Sequence, residues 1–208
     1  MKKLFVLAAM AVLMLTGCCN EPKNAAPSAL DVIMTRTSIR CFTGEAVTSE
    51  QLETILKAGM AAPSAMNAQP WRFVVLTDKD RIQEVYGAER RSEMFTTAGA
   101  VIVVCGQTTR MGRPHGQPDA PETELPLIFW YEDCSAATEN ILLAAHALGL
   151  GAVWVSGYPN ENRTAPIAEA LGLPANVKIL CSIPVGVPAE NPEPKDKWVP
   201  ENIHWEKW

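Results

Sequence analysis

The sequence predicts an α+β or mixed α/β domain built around one sheet. Two apolar runs, residues 100–105 (AVIVVC) and 177–185, have strand length, and the first is apolar at every position. A strand of that kind is buried on both faces. Segments with helical periodicity carry their own start and stop signals. Helices and strands follow one another without a regular βαβ rhythm, which separates the chain from a doubly wound fold. With 208 residues, 48% of them hydrophobic and 20% charged, the chain is long and apolar enough for one packed core.

Taken in order, Ser28 and Asp31 form a helix start, followed by Leu30, Ile33 and Met34 at helical spacing up to Arg36. Thr48 with Gln51 is a capping box, and Leu52, Ile55 and Leu56 mark one face of the helix it opens. Pro63 and Pro70 bracket an irregular loop, and residues 73–76 read as a short strand. Asp78 caps a helix carrying Ile82 and Val85. Residues 110–126, with four prolines and two glycines, read as a long loop. An Ala-rich helix is expected over 133–148, ended by Gly149 or Gly151, then a strand over 152–155 and a short helix over 165–171 ended by Gly172 and Pro174. The last segment, 191–208, has three prolines and Trp198, Trp205 and Trp208. It lacks a period of 2 or 3.6, so it cannot bury these indoles by itself and is expected to wrap around this domain or a second subunit.

The N-terminus reads as an export signal. Lys2 and Lys3 precede an unbroken apolar run over 4–15, too short for a membrane-spanning helix. Leu15-Thr16-Gly17-Cys18 is similar to a bacterial lipobox, which assigns 1–17 to a lipoprotein signal peptide, Cys18 to lipidation, 18–27 to a tether and 28–208 to the folded domain. A plain signal peptide and a buried N-terminal helix are the alternatives. The lipoprotein reading predicts a protein held on a membrane outside the cytoplasm, periplasmic or at the cell surface.

The formal charge is −5, and loss of Lys2 and Lys3 takes it to −7, which argues against general nucleic-acid binding. Cys41, Cys105, Cys134 and Cys181 are widely spaced without a CxxC, and Cys105 and Cys181 lie in apolar runs that favour buried free thiols. His115, His146 and His204 lack metal-ligand spacing.

Three stretches carry chemistry. Arg36, Thr37, Ser38 and Arg40 place two guanidinium groups and two hydroxyls at a helix end, where they suit a phosphate. Taken alone, such a cluster reads first as a solvated surface. The loop with Pro63, Ser64, Ala65 and Asn67 can present amide donors and acceptors to a flat heterocycle, while Trp71 belongs to the core. Lys195 and Lys197 form a late basic pair, either solvated or aimed at an anion.

These stretches, with the Leu148-Gly149-Leu150-Gly151 run and the closing Ile203-His204-Trp205, resemble the flavin-dependent nitroreductase family from about Leu30 to Trp208. The resemblance implies a mainly antiparallel sheet flanked by helices, in a homodimer with exchanged C-terminal tails. It implies noncovalent FMN at the dimer interface, with Arg36, Thr37, Ser38 and Arg40 on the phosphate and ribityl side and Lys195 and Lys197 approaching the phosphate. Pro63, Ser64, Ala65 and Asn67 would come from the other subunit, and Val155, Ser156 and Gly157 would lie by backbone against the reactive edge. Members often have Gly where Ser156 stands, so the resemblance is looser there.

The implied activity is hydride transfer from NADH or NADPH, through FMN, to a nitroaromatic, a quinone or a similar electron-poor small molecule, by a ping-pong scheme with no catalytic side chain. Two rivals stand beside it: an exported flavin-binding lipoprotein without turnover, and a specialised dehalogenase-like member of the same fold. Export sits uneasily with a cytoplasmic nicotinamide donor. The signal lacks a twin arginine, which favours export before folding and acquisition of FMN outside.

Overall fold

A computed structural model describes residues 27–208. The signal peptide, Cys18 and nearly all of the tether lie outside the described residues.

The chain opens with α1 (Ala29–Thr35), whose N-cap Ser28 and Asp31 bond reciprocally in a capping box. The second helix, α2 (Ser49–Met60), starts in the same way at Thr48 and Gln51. β1 (Trp71–Leu76) follows, then α3 (Lys79–Tyr86) capped by Asp78, and a five-residue helix α4 (Ser92–Thr96). The remaining elements are β2 (Ala100–Gln107), β3 (Thr109–Gly112), β4 (Thr123–Pro126), α5 (Trp130–Ala147), β5 (Gly151–Ala152), β6 (Val155–Ser156), α6 (Glu161–Leu171) and β7 (Val177–Gly186). Gly172 closes α6 in the left-handed conformation (φ 66°), which glycine adopts without a Cβ clash.

The main sheet runs β1-β2-β7-β5, with β6 also on β7, and every pairing is antiparallel. β2 and β7 are its centre. Alternation along β2 sends Ala100, Ile102 and Val104 to a face covered by α2 and α5, where Ile55, Ile141, Leu142 and Ala145 pack. Val101, Val103 and Cys105 point to the opposite face, against Ile82, Tyr86, Phe95 and Ile167 from α3, α4 and α6. The wholly apolar run is explained by helices on both faces rather than by parallel pairing. Each fully buried aliphatic side chain contributes about 1.5–3 kcal/mol, so β2 alone anchors both half-cores.

Three expectations need correction. Residues 110–126 are not one long loop, because β3 and β4 pair antiparallel from Thr109↔Pro126 to Gly112↔Thr123. The prolines sit in the connection and at the last paired position, where no ladder donor is lost. The strand over 152–155 is divided: Ala152↔Val185 and Val155↔Ser182 share one register on β7, while Val153 and Trp154 between them are unpaired. α5 and α6 start three and four residues earlier than expected.

The tail does not bury its indoles on its own domain. Trp198, Trp205 and Trp208 are 69%, 81% and 99% exposed. Other exposed apolar side chains include Leu30, Ile33 and Met34 on α1, Met60 at the end of α2, Met66, and Ile128 and Phe129 before α5.

Candidate cofactor-binding site

Arg36 is the C-cap of α1 and already extended (φ −58°, ψ 127°), so the chain leaves the helix at this residue and runs on as 37–41. Its side chain is mostly buried, and its Nε lies 3.6 Å from Glu139 Oε1 on α5. That ion pair ties the guanidinium to α5. Next to it, Thr35 Oγ1 is 2.9 Å from His146 Nε2. Burial, with the Arg36 charge nearby, holds the His146 pKa below its ordinary value, which favours the neutral imidazole.

Arg36, Thr37, Ser38 and Arg40 line one concavity of about 280 Å³ together with Lys195, Lys197, Pro192 and Glu193. Two segments more than 150 positions apart thus supply four cations and two hydroxyls to one cradle. The packing of Ile39 explains how the segment is held. Its side chain is buried, its amide donates to Ala152 O at 3.1 Å, and its Cγ2 methyl lies 2.6 Å from where a Cβ at Gly151 would stand.

Arg40 also lines two neighbouring concavities. One, about 520 Å³, contains Val153, Trp154 and Val155 with Arg90, Arg91 and Arg163. The other, about 800 Å³, shares Arg40, Arg90, Arg91 and Met94. Arg40 therefore stands between the cradle and the two grooves and lines all three. Arg163 is engaged, donating to Ser156 O at 3.1 Å and to Glu89 Oε2 at 3.0 Å. No carboxylate among the described residues pairs with Arg40, Arg90 or Arg91.

Arg90 and Arg91 were not singled out by the sequence reading. Their signal was an Arg-Arg dipeptide in a segment without clear periodicity, and their relation to Val155 is wholly tertiary. Gly157 donates to Leu180 O at 2.9 Å, and a Cβ there would stand 2.8 Å from Thr164 Cγ2. The segment 155–157 therefore runs tight against β7 and α6.

The loop with Pro63, Ser64, Ala65 and Asn67 is not brought to this site. It lies against Leu127, Phe129 and Asp133 at the start of α5. Its backbone is strained, with Met66, Asn67 and Gln69 at φ 52°, 53° and 49°. Asp133 Oδ1 accepts the Ala65 amide at 2.8 Å, Ser64 Oγ accepts the Gln69 amide at 3.0 Å, and Asn67 Oδ1 accepts from Gln69 Nε2 at 3.0 Å. Arg72 braces it from below by donating to Gln69 O and Trp71 O.

Comparison with known proteins gives this geometry a context. The family model described as "Nitroreductase family" matches residues 33–90 and 83–187. An Archaeoglobus fulgidus protein provisionally named NADH dehydrogenase/NAD(P)H nitroreductase is 40% identical over 86% of this chain and 98% of its own. The NADPH-flavin oxidoreductase of Vibrio harveyi is 34% identical over 81% of this chain and 69% of its own. Among solved structures, one from Desulfovibrio desulfuricans in complex with FMN, provisionally named a nitroreductase, has a TM-score of 0.70 at 32% identity, covering 88% of this chain and 99% of that one. With the family pattern, the antiparallel sheet and the cradle agreeing, the chain belongs to the nitroreductase family.

Proposed function

We propose that this chain is an FMN-dependent oxidoreductase that takes hydride from NADH or NADPH and delivers it to nitroaromatic, quinone or similar electron-poor acceptors. The observation that carries the reading is the convergence of Arg36, Arg40, Lys195 and Lys197 on one cradle, with Arg40 also lining the groove beside Val155. The donor set fits the cofactor. A phosphate dianion calls for several cations and hydroxyl donors, and a bidentate guanidinium is matched to its oxygens.

Arg36 and Ser38 would hold the phosphate, with Lys195 and Lys197 neutralising it and Thr37 toward the ribityl chain. The backbone of Val155, Ser156 and Gly157 would flank the ring. When bound, the isoalloxazine supplies hydride acceptance and donation, and the protein supplies position and charge. Arg40, Arg90 and Arg91 place positive charge along the groove, which would stabilise negative charge developing on a ligand there. No side chain is assigned as nucleophile or general acid. Donor and acceptor use the same groove in turn, a ping-pong order.

The functional unit in this reading is a homodimer. The exposed indoles of the tail and the apolar side chains of Leu30, Ile33, Met34, Met66 and Phe129 support it, because one chain leaves them uncovered. The loop 63–67 would then line the flavin of the second subunit. Cys18 would carry lipid and hold the dimer on a membrane outside the cytoplasm.

Turnover tests the reading. Protein loaded with FMN is expected to oxidise NADH or NADPH when a quinone or nitroaromatic is supplied. Stoichiometric flavin binding without oxidation of either nicotinamide would leave a binding protein and overturn the enzymatic reading.

A further inference from the structure

We propose that Glu190 is a positioning residue for the cofactor phosphate: its carboxylate locks segment 36–40 in register with segment 192–197, so that the two halves of the cradle face one another. The inference rests on the FMN reading above.

After β7, the chain runs antiparallel to segment 41–43. Thr43 donates its amide to Val187 O at 3.0 Å, Ala189 donates to Cys41 O at 2.9 Å, and Phe42 and Pro188 form a bridge. This pairing cannot extend toward Arg36, because Asn191, Pro192 and Pro194 carry the chain off along the cradle wall and two of the three lack an amide hydrogen. The last backbone bond of this pairing runs from the Ala189 amide to Cys41 O, and Arg40 lies one residue beyond it. Glu190 fills the gap. Its Oε1 accepts the amides of both Arg40 and Cys41, the latter at 3.0 Å. One carboxylate oxygen therefore holds two adjacent amides at the point where the segments diverge into the cradle.

The carboxylate suits this task. An ionised carboxylate is acceptor-only, with enough lone pairs for two amides. The Arg40 amide, with that of Cys41 and the Arg40 charge, holds its pKa below the usual carboxylate value. On its other side the segment is tied through the Ile39 amide to Ala152. Arg36, Ser38 and Arg40 are thus anchored to the sheet on one flank and to the tail on the other, while Lys195 and Lys197 follow Glu190 by five and seven residues.

A carboxylate near a phosphate also repels it, so charge and geometry make opposite predictions. If geometry dominates, removal of Glu190 weakens FMN binding. If repulsion dominates, removal strengthens it. Glutamine separates the two, since its amide oxygen accepts without the charge.

The test is titration of FMN into full-length apo-protein, followed by quenching of flavin fluorescence, for wild type, Glu190→Ala, Glu190→Gln and Arg36→Ala. Glu190→Ala is expected to raise the FMN Kd roughly five- to twentyfold, the loss of one or two exposed hydrogen bonds. Glu190→Gln is expected to stay within roughly twofold of wild type because the acceptor is retained. Unchanged or tighter binding by Glu190→Ala overturns the proposal, as does Glu190→Gln binding as weakly as Glu190→Ala. The cofactor placement is read separately. If Arg36→Ala weakens binding and Glu190→Ala does not, only the positioning role falls. If wild type fails to quench FMN, or Arg36→Ala binds as wild type does, the placement falls and this role with it.

Discussion

Asp133 Oδ1 accepts the Ala65 backbone amide at 2.8 Å, joining the first turn of α5 to the loop that carries Pro63, Ser64 and Asn67. Asp133 is almost fully buried, and its position in the first turn sets its charge at the positive end of the helix dipole. The loop needs such an anchor because three of its residues with side chains hold left-handed backbone. Asp133→Ala removes the acceptor and leaves a part-buried amide unpaired, a cost of about 1–3 kcal/mol. Urea denaturation is expected to show that loss for Asp133→Ala and most of it restored in Asp133→Asn, which keeps the oxygen. Equal stability of wild type and Asp133→Ala would show that the loop is held by other contacts.

The sheet and the cradle were legible in the sequence to different degrees. The apolar run 100–105 announced a strand covered on both faces, and its alternation sorts the two half-cores as observed. Capping boxes at Ser28 and Thr48 fixed two helix starts, because a cap is a local bond between residues three apart. The pairing of β3 with β4 was missed, since its connection is rich in Pro and Gly and its strands are only four residues long. Arg36 and Lys195 reach one cradle through the sheet, a relation that no local pattern carries. The resemblance to a family joined them in advance. Arg90 and Arg91 lay outside the recognised motifs, and only packing reveals them beside Val155.

The tail predicts the assembly. Burying a large aromatic contributes on the order of 1.5–3 kcal/mol, so three exposed indoles strongly favour docking on a second subunit. Deletion of residues 198–208 is expected to shift the protein toward monomer in light scattering and to lower FMN retention at the same time. A wild-type monomer that holds FMN stoichiometrically at micromolar concentration would contradict the shared site.

The buried thiols predict an alkaline limit. Burial pushes Cys105, Cys134 and Cys181 from 9.0 up to about 12. In the unfolded chain they ionise near the lower value, so between the two the unfolded state binds fewer protons and stability falls as pH rises. Their contribution is fully present below the lower value. Urea midpoints under reducing conditions are expected to decline from pH ~9 upward, and a flat profile to about pH 12 would contradict this burial. In native protein, iodoacetamide is expected to label the exposed Cys41 and to spare Cys105, Cys134 and Cys181 until unfolding.

Lipid attachment is tested at Cys18. Cys18→Ser is expected to block acylation and leave an unprocessed precursor, because the thiol is the acceptor and the lipobox defines the cut. An unmodified Cys18 in the intact mass of the wild-type membrane fraction would remove the membrane anchor from the account.

The basic cradle at the end of α1 is proposed to hold the FMN phosphate. The most direct measurement is the FMN Kd of wild type against Arg36→Ala by equilibrium titration. The account predicts a loss of about 1.5–3 kcal/mol, the range for hydrogen bonds to charged groups, with the fold intact by circular dichroism. An Arg36→Ala protein that binds FMN with the wild-type Kd would contradict it.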